Sequence, residues 1–284
     1  MAAPPPAGTR LERGTDRLAE PGVIESLLPA SVRSAEVFGD VRPADVFPEE
    51  EALVAEAVPK RRREFATVRA CAREALGRLG VPPAPILPGI RGAPGWPAGV
   101  VGSMTHCDGY RAAAVAGDRE CAAIGVDAEP HGPLPAGVLE AVSIPPERAR
   151  IDRLTAGYPA VRWDRLLFSA KESVYKAWFP MTRRPLGFED ADIDFDPLRG
   201  RFTARLLVPG HALAGGRRVE GFAGRWLAGP DIVITAIALR APGAAWGPQG
   251  AATPNPGASR APANKGGHGV SPPHRAANHR GNDT

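Results

Sequence analysis

Two long segments with a helical hydrophobic pattern, each followed by several short apolar runs, constrain the fold of this chain more than any other feature. Apolar residues recur every three or four positions through residues 61–79 and again through 163–179, and glycine or proline follows each segment. The first helix precedes runs at 100–105, 111–116 and 122–126, which are separated by short glycine-containing turns. We predict that these three runs form an antiparallel meander.

The same order of a helix and then strands occurs a second time. Four further apolar runs follow the second helix, at 191–195, 201–208, 218–227 and 232–239. This order predicts an α+β fold, namely a pseudo-dimer of two similar α+β halves, each a long helix packed on a small antiparallel sheet. Short strands or turns are expected ahead of the first helix, at 23–28 and 36–40.

Composition separates both ends of the chain from this folded part. The last 44 residues, 241–284, contain 7 prolines and 8 glycines but only two large apolar side chains, too few to offset the entropy of ordering. We predict that 241–284 and the proline-rich segment 1–20 are disordered. The folded part is expected to divide into an N-terminal half, 21–145, and a C-terminal half, 146–240.

The charge distribution argues against a nucleic-acid partner. The chain has a formal net charge of +4, but residues 241–284 carry four of the basic and one of the acidic residues, so the first 240 residues are close to neutral. Three cysteines without a CxxC pair fit a reducing cytoplasm, and no apolar run is long enough to cross a bilayer. We expect a monomeric cytoplasmic protein that binds neither nucleic acid nor membrane.

The segment GVDAEP, residues 125–130, is the first candidate for chemistry. Alternation along a strand places the carboxylates of Asp127 and Glu129 on one face, where they repel each other unless a cation lies between them. Mg²⁺ typically takes one or two protein carboxylates and completes its shell with water and phosphate oxygens. A bare D-x-E is more often an exposed acidic strand end, so the pattern alone does not identify a metal site.

The segment FSAKESVYKAWFP, residues 168–180, is the second. Lys171, Glu172 and Lys176 lie off the apolar stripe of the helix. Glu172 and Lys176 are one turn apart, and an ion pair on a solvated face is the simple alternative. Aromatic side chains flank the same strip, however, so we predict that Glu172 lies in a cleft.

Cations and a histidine form the remaining candidates. Arg61 belongs to a basic run at the start of the first helix, and Arg69 follows about two turns later; helix starts and arginines both favour phosphate. Arg91 lies in a glycine-containing loop. The segment GSMTH ends in His106, which can offer a ring to an adenine or a hydrogen bond to a phosphate, while Ser103 and His106 lack a partner for a triad. Together with the carboxylates, these residues predict a divalent-cation site for a diphosphate.

The two acidic segments, about forty residues apart, resemble the paired motifs of the Sfp-type 4'-phosphopantetheinyl transferases. RGAPGWPAGVVGSMTHC and RRREFATVRACAREALGRLGVPPAPIL resemble the enterobactin-pathway and actinobacterial branch of that family. The resemblance covers roughly residues 22–240. It implies a pseudo-dimer of two α+β halves with coenzyme A bound between them, and the D-x-E strand in the N-terminal half.

The resemblance also implies roles for the acidic segments. The metal ligands fall on Asp127, Glu129 and Glu172, with Mg²⁺, or Mn²⁺ in its place, as the ion. Glu172 is also the implied general base. Lys171 is the implied diphosphate ligand, which would assist the leaving group.

The cofactor-binding roles fall on the first half. Arg61, Arg69 and His106 would hold the 3'-phosphate and adenine end of coenzyme A, with Ser103 beside them. The family commonly has a lysine where this chain has Ala93, so we assign that role to Arg91.

The implied activity is transfer of the 4'-phosphopantetheine arm of coenzyme A to a serine of apo acyl or peptidyl carrier proteins, with release of 3',5'-ADP. Such carriers serve fatty-acid, polyketide, non-ribosomal peptide and siderophore synthesis. Two alternatives remain open: another Mg²⁺-dependent nucleotide or diphosphate hydrolase, and a non-catalytic carrier- or nucleotide-binding module.

Overall fold

The computed structural model of the chain describes residues 22–39 and 46–245. The segment 1–20 and the tail beyond residue 245, both predicted to be disordered, lie outside these residues. Ala241, the first residue of that predicted tail, is buried, and its N–H donates to the carbonyl of Glu120. No helix among the described residues is both long and apolar enough to cross a membrane.

In the described residues, the two long helices and the strands after each follow the predicted order, and three shorter helices are additional. The α-helices are α1 (Pro48–Glu51), α2 (Pro59–Arg78), α3 (Val138–Val142), α4 (Pro145–Gly157) and α5 (Trp163–Thr182). The strands are β1 (Arg33–Phe38), β2 (Val100–Cys107), β3 (Tyr110–Gly117), β4 (Cys121–Pro130), β5 (Ala191–Asp196), β6 (Arg201–Leu206), β7 (His211–Ala212), β8 (Arg218–Val219), β9 (Gly221–Ala228) and β10 (Ile232–Arg240). Short 3₁₀ turns occupy Glu25–Leu27, Ala52–Val54, Ile90–Gly92 and Phe188–Asp190.

The first half packs α2 on a three-stranded antiparallel sheet of order β1-β3-β2. The helix begins with Pro59. Proline lacks a backbone N–H, but the N–H at the first helical position makes no intrahelical hydrogen bond, so nothing is lost there. It ends before Gly80, which adopts φ 78°. Its apolar face, including Ala72 and Leu76, is fully buried against the alanines and valine of β3.

The second half packs α5 on a five-stranded antiparallel sheet of order β4-β10-β9-β6-β5. Two separate helix-on-sheet layers confirm the predicted α+β architecture. The predicted meander is wrong in its third member, however. β4 leaves β3 and pairs with β10 over nine residues, with Asp127 opposite Thr235. The pairing satisfies the backbone of β4 from a strand that is distant in sequence. The division of the folded part at residue 145 stays a prediction.

Side-chain hydroxyls connect the two sheets. The β2 edge carries Ser103 and Thr105, and their oxygens accept the N–H groups of Val126 at 3.1 Å and Ala128 at 2.9 Å. These side-chain bonds join β2 to β4, which share no backbone ladder, and they satisfy two buried backbone amides of β4. The joint fixes the residue between them, Asp127, relative to the first half.

The helix α5 lies unusually close to β4. A Cβ at Gly125 would overlap the carbonyl oxygen of Ser173, so only glycine fits between the helix and the strand. Buried hydroxyls continue this contact. Thr235 donates to the carbonyl of Ser169 at 2.9 Å, and its oxygen lies 2.6 Å from the Ser173 hydroxyl, from which it can accept a hydrogen bond. The helix also runs past Pro180 to Thr182, contrary to prediction, since a proline this near the end removes a single intrahelical bond.

Candidate active site

A cleft of about 550 Å³ lies between α2 and β2 on one side and α5 on the other. Side chains from both halves line it, so neither half forms it alone. The cleft brings together most of the residues that the sequence singled out: Arg61, Arg69, Arg91, Ser103, His106 and Glu172. Lys176 and the stacked rings of Tyr175 and Phe179 line the α5 side.

The α2 side contains the basic wall of the cleft, which we define as Arg61, Arg69, Arg91 and His106. Arg61 and His106 form a pair, with Nη1 of the guanidinium 2.8 Å from Nε2 of the ring. Burial and the neighbouring Arg61 lower the pKa of His106 below its ordinary value of 6.5. A neutral imidazole can accept a hydrogen bond from the guanidinium at Nε2, and an anion in the cleft would face both groups.

Arg69 is held more tightly than the sequence suggested. Its guanidinium stacks on the Phe65 ring at 3.2 Å, donates to the carbonyl of Ile86 and lies 3.5 Å from a fully buried carboxylate, Glu50. That carboxylate also binds Arg73 at 2.8 Å and accepts the N–H of Ile86 at 2.8 Å. Burial lowers the pKa of Arg69 to about 10, although the nearby carboxylate opposes the shift. Arg69 therefore lines the cleft and also fastens α2 to the 86–94 loop.

Arg91 lies on that loop, in the position predicted for a loop cation. The loop folds back on itself through a bridge between Pro88 and Pro94, and Arg91 adopts φ 54°. A left-handed conformation is uncommon for a residue with a side chain. Both Arg91 and Ala93 line the cleft, so the loop presents its cation to the cleft two positions earlier than the family pattern implies.

Ser103 has a structural partner. Its side chain is 3% exposed, and its hydroxyl accepts the Val126 N–H within the joint between the sheets. Ser103 thus touches the cleft while its hydroxyl oxygen is engaged elsewhere.

Beside the α5 side of the cleft lies the acidic wall, which we define as Asp127, Glu129 and Glu172. Glu172 lines the cleft itself, and Asp127 binds the cleft residue Lys176. Asp127 is 4% exposed. Its Oδ1 accepts a hydrogen bond from the Lys176 ammonium at 2.7 Å, and Thr105 donates to the same oxygen at 3.5 Å. Its second oxygen, Oδ2, is buried and has no hydrogen-bond partner among the described residues. A buried carboxylate oxygen without a partner is energetically costly, and a bound cation would offset that cost.

The other two carboxylates are electrostatically coupled to Asp127. Burial and then Asp127 raise the pKa of Glu129, whose Oε2 accepts a hydrogen bond from Arg165 at 3.0 Å. Burial and then Asp127 likewise raise the pKa of Glu172, while Lys176 lowers it. Two carboxylates that repel the charge of a third form a site in which a cation would be stabilised.

The residues present fit a hard divalent cation by their chemistry. Across residues 22–39 and 46–245, no three histidine, cysteine or acidic side chains stand together at metal-ligand spacing. The unpaired Oδ2 of Asp127 and the raised pKa values of its two neighbours nevertheless favour an ion with oxygen ligands. The ammonium of Lys176 donates a hydrogen bond to the other oxygen of Asp127, Oδ1, and places a positive charge there.

The structure contradicts the role predicted for Lys171. Its side chain is 1% exposed, and its ammonium lies 2.9 Å from the carboxylate of Glu147 on α4, away from the cleft. At about 100° per residue, Lys171 lies only about 20° from Trp178 around the helix, which places it beside the buried stripe. The lysine that binds a carboxylate of the acidic wall is Lys176. Its position in the sequence, one turn after Glu172, predicts only an ion pair with that residue.

Comparisons with known proteins agree with this arrangement. The 4'-phosphopantetheinyl transferase N-terminal domain family matches residues 49–116, and the 4'-phosphopantetheinyl transferase superfamily matches residues 123–216. The chain is 60% identical over 224 residues to the 4'-phosphopantetheinyl transferase Svp of Streptomyces mobaraensis, covering 78% of this chain and 90% of that protein.

Two further relatives match at similar length. Identity is 52% over 223 residues to Npt of Nocardia iowensis, which covers 76% of this chain and 99% of the relative. It is 50% over 225 residues to PptT of Mycobacterium tuberculosis, which covers 76% and 98%. Enzymes of this family use coenzyme A as substrate together with Mg²⁺. The chain therefore belongs to the 4'-phosphopantetheinyl transferase family and transfers the phosphopantetheine arm of coenzyme A to carrier proteins.

Proposed function

We propose that the cleft between α2 and α5 binds coenzyme A, with its 3'-phosphate at the basic wall and its diphosphate at the acidic wall. The observation that carries this proposal is the separation of charges across one cleft that both halves line. Arg61, His106 and Arg91 line one side of the cleft, while Lys176 and Glu172 line the other and are coupled to Asp127. A ligand with two separate anionic groups, one of which binds a divalent cation, fits both walls.

Asp127, Glu129 and Glu172 would hold the Mg²⁺ that this family uses. When bound, the ion neutralises diphosphate charge and favours departure of 3',5'-ADP. Asp127 contributes the oxygen that has no partner, and Glu129 is oriented by Arg165. Lys176 places its ammonium beside this site and in the cleft, and we transfer to it the diphosphate role that the family resemblance implies for Lys171.

Glu172 is the proposed general base. Its carboxylate lines the cleft on the α5 side, where it can reach the hydroxyl of a serine presented to bound coenzyme A. It takes the proton of the carrier serine as the serine oxygen attacks the β-phosphorus. The bond between that phosphorus and the oxygen of 3',5'-ADP breaks, and the phosphopantetheine arm stays on the serine. The rate gain comes from positioning the serine and removing its proton, and no covalent enzyme intermediate forms.

The basic wall binds a part of coenzyme A that does not react. Arg61 and His106 lie at the start of α2 and the end of β2, on the half opposite Glu172. Their contribution is to affinity and alignment. Binding energy from such a remote group holds the diphosphate in register with the acidic wall.

A transfer assay tests the whole proposal. The purified protein is mixed with coenzyme A, Mg²⁺ and an apo carrier protein. The mass of the carrier is then measured by intact-protein mass spectrometry. We expect the mass gain of one phosphopantetheine arm together with 3',5'-ADP. Release of 3',5'-ADP without any carrier would support a hydrolase, and binding of coenzyme A without turnover would support a binding module.

The range of carriers is a separate question. A panel of apo carriers from fatty-acid, polyketide, peptide-synthetase and siderophore systems would rank them by kcat/KM. A monomeric state and a cytoplasmic location belong to the same proposal. Light scattering of the purified chain and fractionation of the source cells would check them.

A further inference from the structure

The buried ammonium of Lys171 has every donor engaged. It donates to the carboxylate of Glu147 at 2.9 Å, to the carbonyl of Phe188 at 2.6 Å and to the carbonyl of Ala191. An ammonium carries three N–H donors, so these three acceptors satisfy it completely. Lys171 has no donor left for a phosphate, yet it immediately precedes Glu172 in the sequence.

Its partner Glu147 is engaged on both oxygens. Oε1 also accepts the N–H of Ile193 on β5 at 2.7 Å, and Oε2 accepts the N–H of Ile144 at the start of α4 at 2.9 Å. The carboxylate is 1% exposed. Together the two side chains join α4, β5, the 3₁₀ turn before β5 and α5 at one buried point.

The pair holds the side of α5 that faces away from the cleft. Lys171 lies about 140° around the helix from Lys176 and about 100° from Glu172. The opposite side of the helix has little freedom, because Gly125 leaves no room for even a methyl group between β4 and the carbonyl of Ser173. A rotation of α5 about its axis would therefore carry Glu172 and Lys176 out of line with Asp127.

Stability alone does not account for such a pair. Desolvation of two buried charges largely cancels their attraction, and apolar replacements of similar volume are often as stable. Outer residues that orient metal ligands, in contrast, commonly matter for activity and metal affinity. The buried Lys171 is thus better explained by an effect on the position of the metal ligands than by an effect on the free energy of unfolding.

We propose that the Lys171–Glu147 pair is a positioning device that fixes the rotation of α5, and thereby aligns Glu172 and Lys176 with Asp127. Lys171 and Glu147 are positioning residues and touch neither substrate nor metal. This inference rests on the proposed function of the acidic wall. It departs from the family-implied role of Lys171 as a diphosphate ligand.

The test compares Glu147→Gln, Lys171→Met and the double variant with Lys176→Met as the matched cleft lysine. We expect Glu147→Gln and Lys171→Met each to lower the single-turnover transfer rate by about 10- to 100-fold, as for other residues that orient metal ligands. Affinity for coenzyme A, measured by calorimetry, should stay close to wild type in both. Lys176→Met should weaken that affinity clearly. The double variant should lose no more than the larger single loss, because both changes break one interaction.

Two results would overturn the proposal. If Lys171→Met weakened coenzyme A binding as much as Lys176→Met while Glu147→Gln left the rate unchanged, Lys171 would be a direct phosphate ligand. If the variants lowered only the melting temperature and the folded protein turned over at the wild-type rate, the pair would be merely structural. Should Lys171→Met not fold, Glu147→Gln decides the question, since Glu147 does not line the cleft and glutamine keeps an acceptor for the Ile193 N–H.

Wild type serves as the control for the function itself. If wild type loaded no carrier, the proposed function would fail, and the positioning role would still be measurable through Mg²⁺. In the presence of coenzyme A, the apparent Mg²⁺ affinity of Glu147→Gln should be about tenfold lower than that of wild type. An unchanged Mg²⁺ affinity there would count against the positioning role independently of any transfer assay.

Discussion

The two walls of the cleft differ in how far their charges are already satisfied. On the basic wall, Arg61 is paired with His106, and Arg69 is stacked, hydrogen-bonded and close to the buried Glu50. On the acidic wall, Oδ2 of Asp127 has no partner among the described residues, and the pKa values of Glu129 and Glu172 are raised. Three members of the basic wall thus have protein partners, whereas the acidic wall, within the described residues, has a buried carboxylate oxygen without one.

This difference separates binding from chemistry. A wall whose cations are held by their neighbours is organised in advance and gives up little entropy when an anion arrives. Lys176 and Arg165 neutralise part of the charge of the acidic wall, and a divalent cation would stabilise its mutually repelling carboxylates further. Changes on the acidic wall should therefore affect turnover, and changes on the basic wall should affect affinity.

The largest effect is expected from Asp127→Ala. The change removes the one carboxylate that is coupled to both Glu129 and Glu172, and metal stabilisation of the reacting diphosphate is worth several kcal/mol, so kcat/KM should fall by about 10³-fold or more. Transfer should also stop when wild type is treated with chelator and return with Mg²⁺ or Mn²⁺. Circular dichroism should show that the variant remains folded.

Asp118→Ala is the matched control, because Asp118 is an exposed residue of the β3–β4 turn, at the end of β4 that is remote from Asp127. It should transfer at the wild-type rate. Substantial turnover by Asp127→Ala, or by wild type in excess chelator, would show that the acidic wall does not need a cation, and the contrast between the walls would be lost.

Glu172→Gln should have the next largest effect. Glutamine keeps the size of the side chain but cannot take the serine proton, and loss of a general base typically costs about 10²- to 10⁴-fold in kcat. The KM for coenzyme A should change little, because the basic wall remains intact. Steady-state kinetics with varied coenzyme A and a saturating apo carrier would separate the two terms. A loss that appeared only in KM would assign Glu172 to binding.

Sequence reasoning located both walls because each is built from short motifs with a fixed geometry. Alternation along β4 and the helical spacing within α2 and α5 hold whatever the tertiary structure, so Asp127, Glu172 and Arg61 could be placed correctly on their elements. The pairing of β4 with β10 could not be predicted in this way. It joins residues more than 100 positions apart, and the neighbouring apolar run looked like the natural partner.

The lysines show where the prediction of side-chain direction went wrong. Lys171 was grouped with Glu172 because both are charged, although it lies seven residues from Trp178 and so on nearly the same side of the helix. That spacing was the available signal. Lys176 was assigned to Glu172 by helical proximity, and its actual partner, Asp127, lies on a strand of another segment. The hydroxyl joint through Ser103 carries no sequence signal of its own.

Arg61→Ala should have an intermediate effect, confined to affinity. Loss of a charged hydrogen bond to the 3'-phosphate should raise the KM for coenzyme A by an amount on the order of 1.5–3 kcal/mol, roughly 10- to 150-fold, with kcat nearly unchanged. The penalty should shrink with 3'-dephospho-coenzyme A, because that substrate lacks the partner already. Kinetics with both cofactors would measure it.

Arg62→Ala is the matched control on the same helical turn. Its guanidinium donates to the carbonyls of Ala55 and Ala57 and does not line the cleft. It should leave both KM values unchanged. An equal penalty for Arg61→Ala on the two cofactors would remove the 3'-phosphate assignment, and Arg61 would then be better placed at a carrier-docking surface.

The smallest effect concerns the protonation of His106 and tests how the basic wall is organised. Burial and then Arg61 lower the pKa of the ring below 6.5. A lowered pKa in the folded state means that the unfolded chain takes up the proton first as the pH falls, so this group's contribution to stability is present above about pH 6.5 and is lost below it. A 3'-phosphate beside the ring should oppose both causes, because an anion favours the charged imidazolium. Titration of the ring by NMR should therefore show a higher pKa with 3',5'-ADP than in the free protein. ADP without the 3'-phosphate should raise it less, and Arg61→Ala should raise it in the free protein, since the neighbouring cation is gone while burial remains. If 3',5'-ADP left the pKa of His106 unchanged, the phosphate would not lie beside the ring, and the histidine would have to be reassigned to the adenine or to a purely structural contact with Arg61.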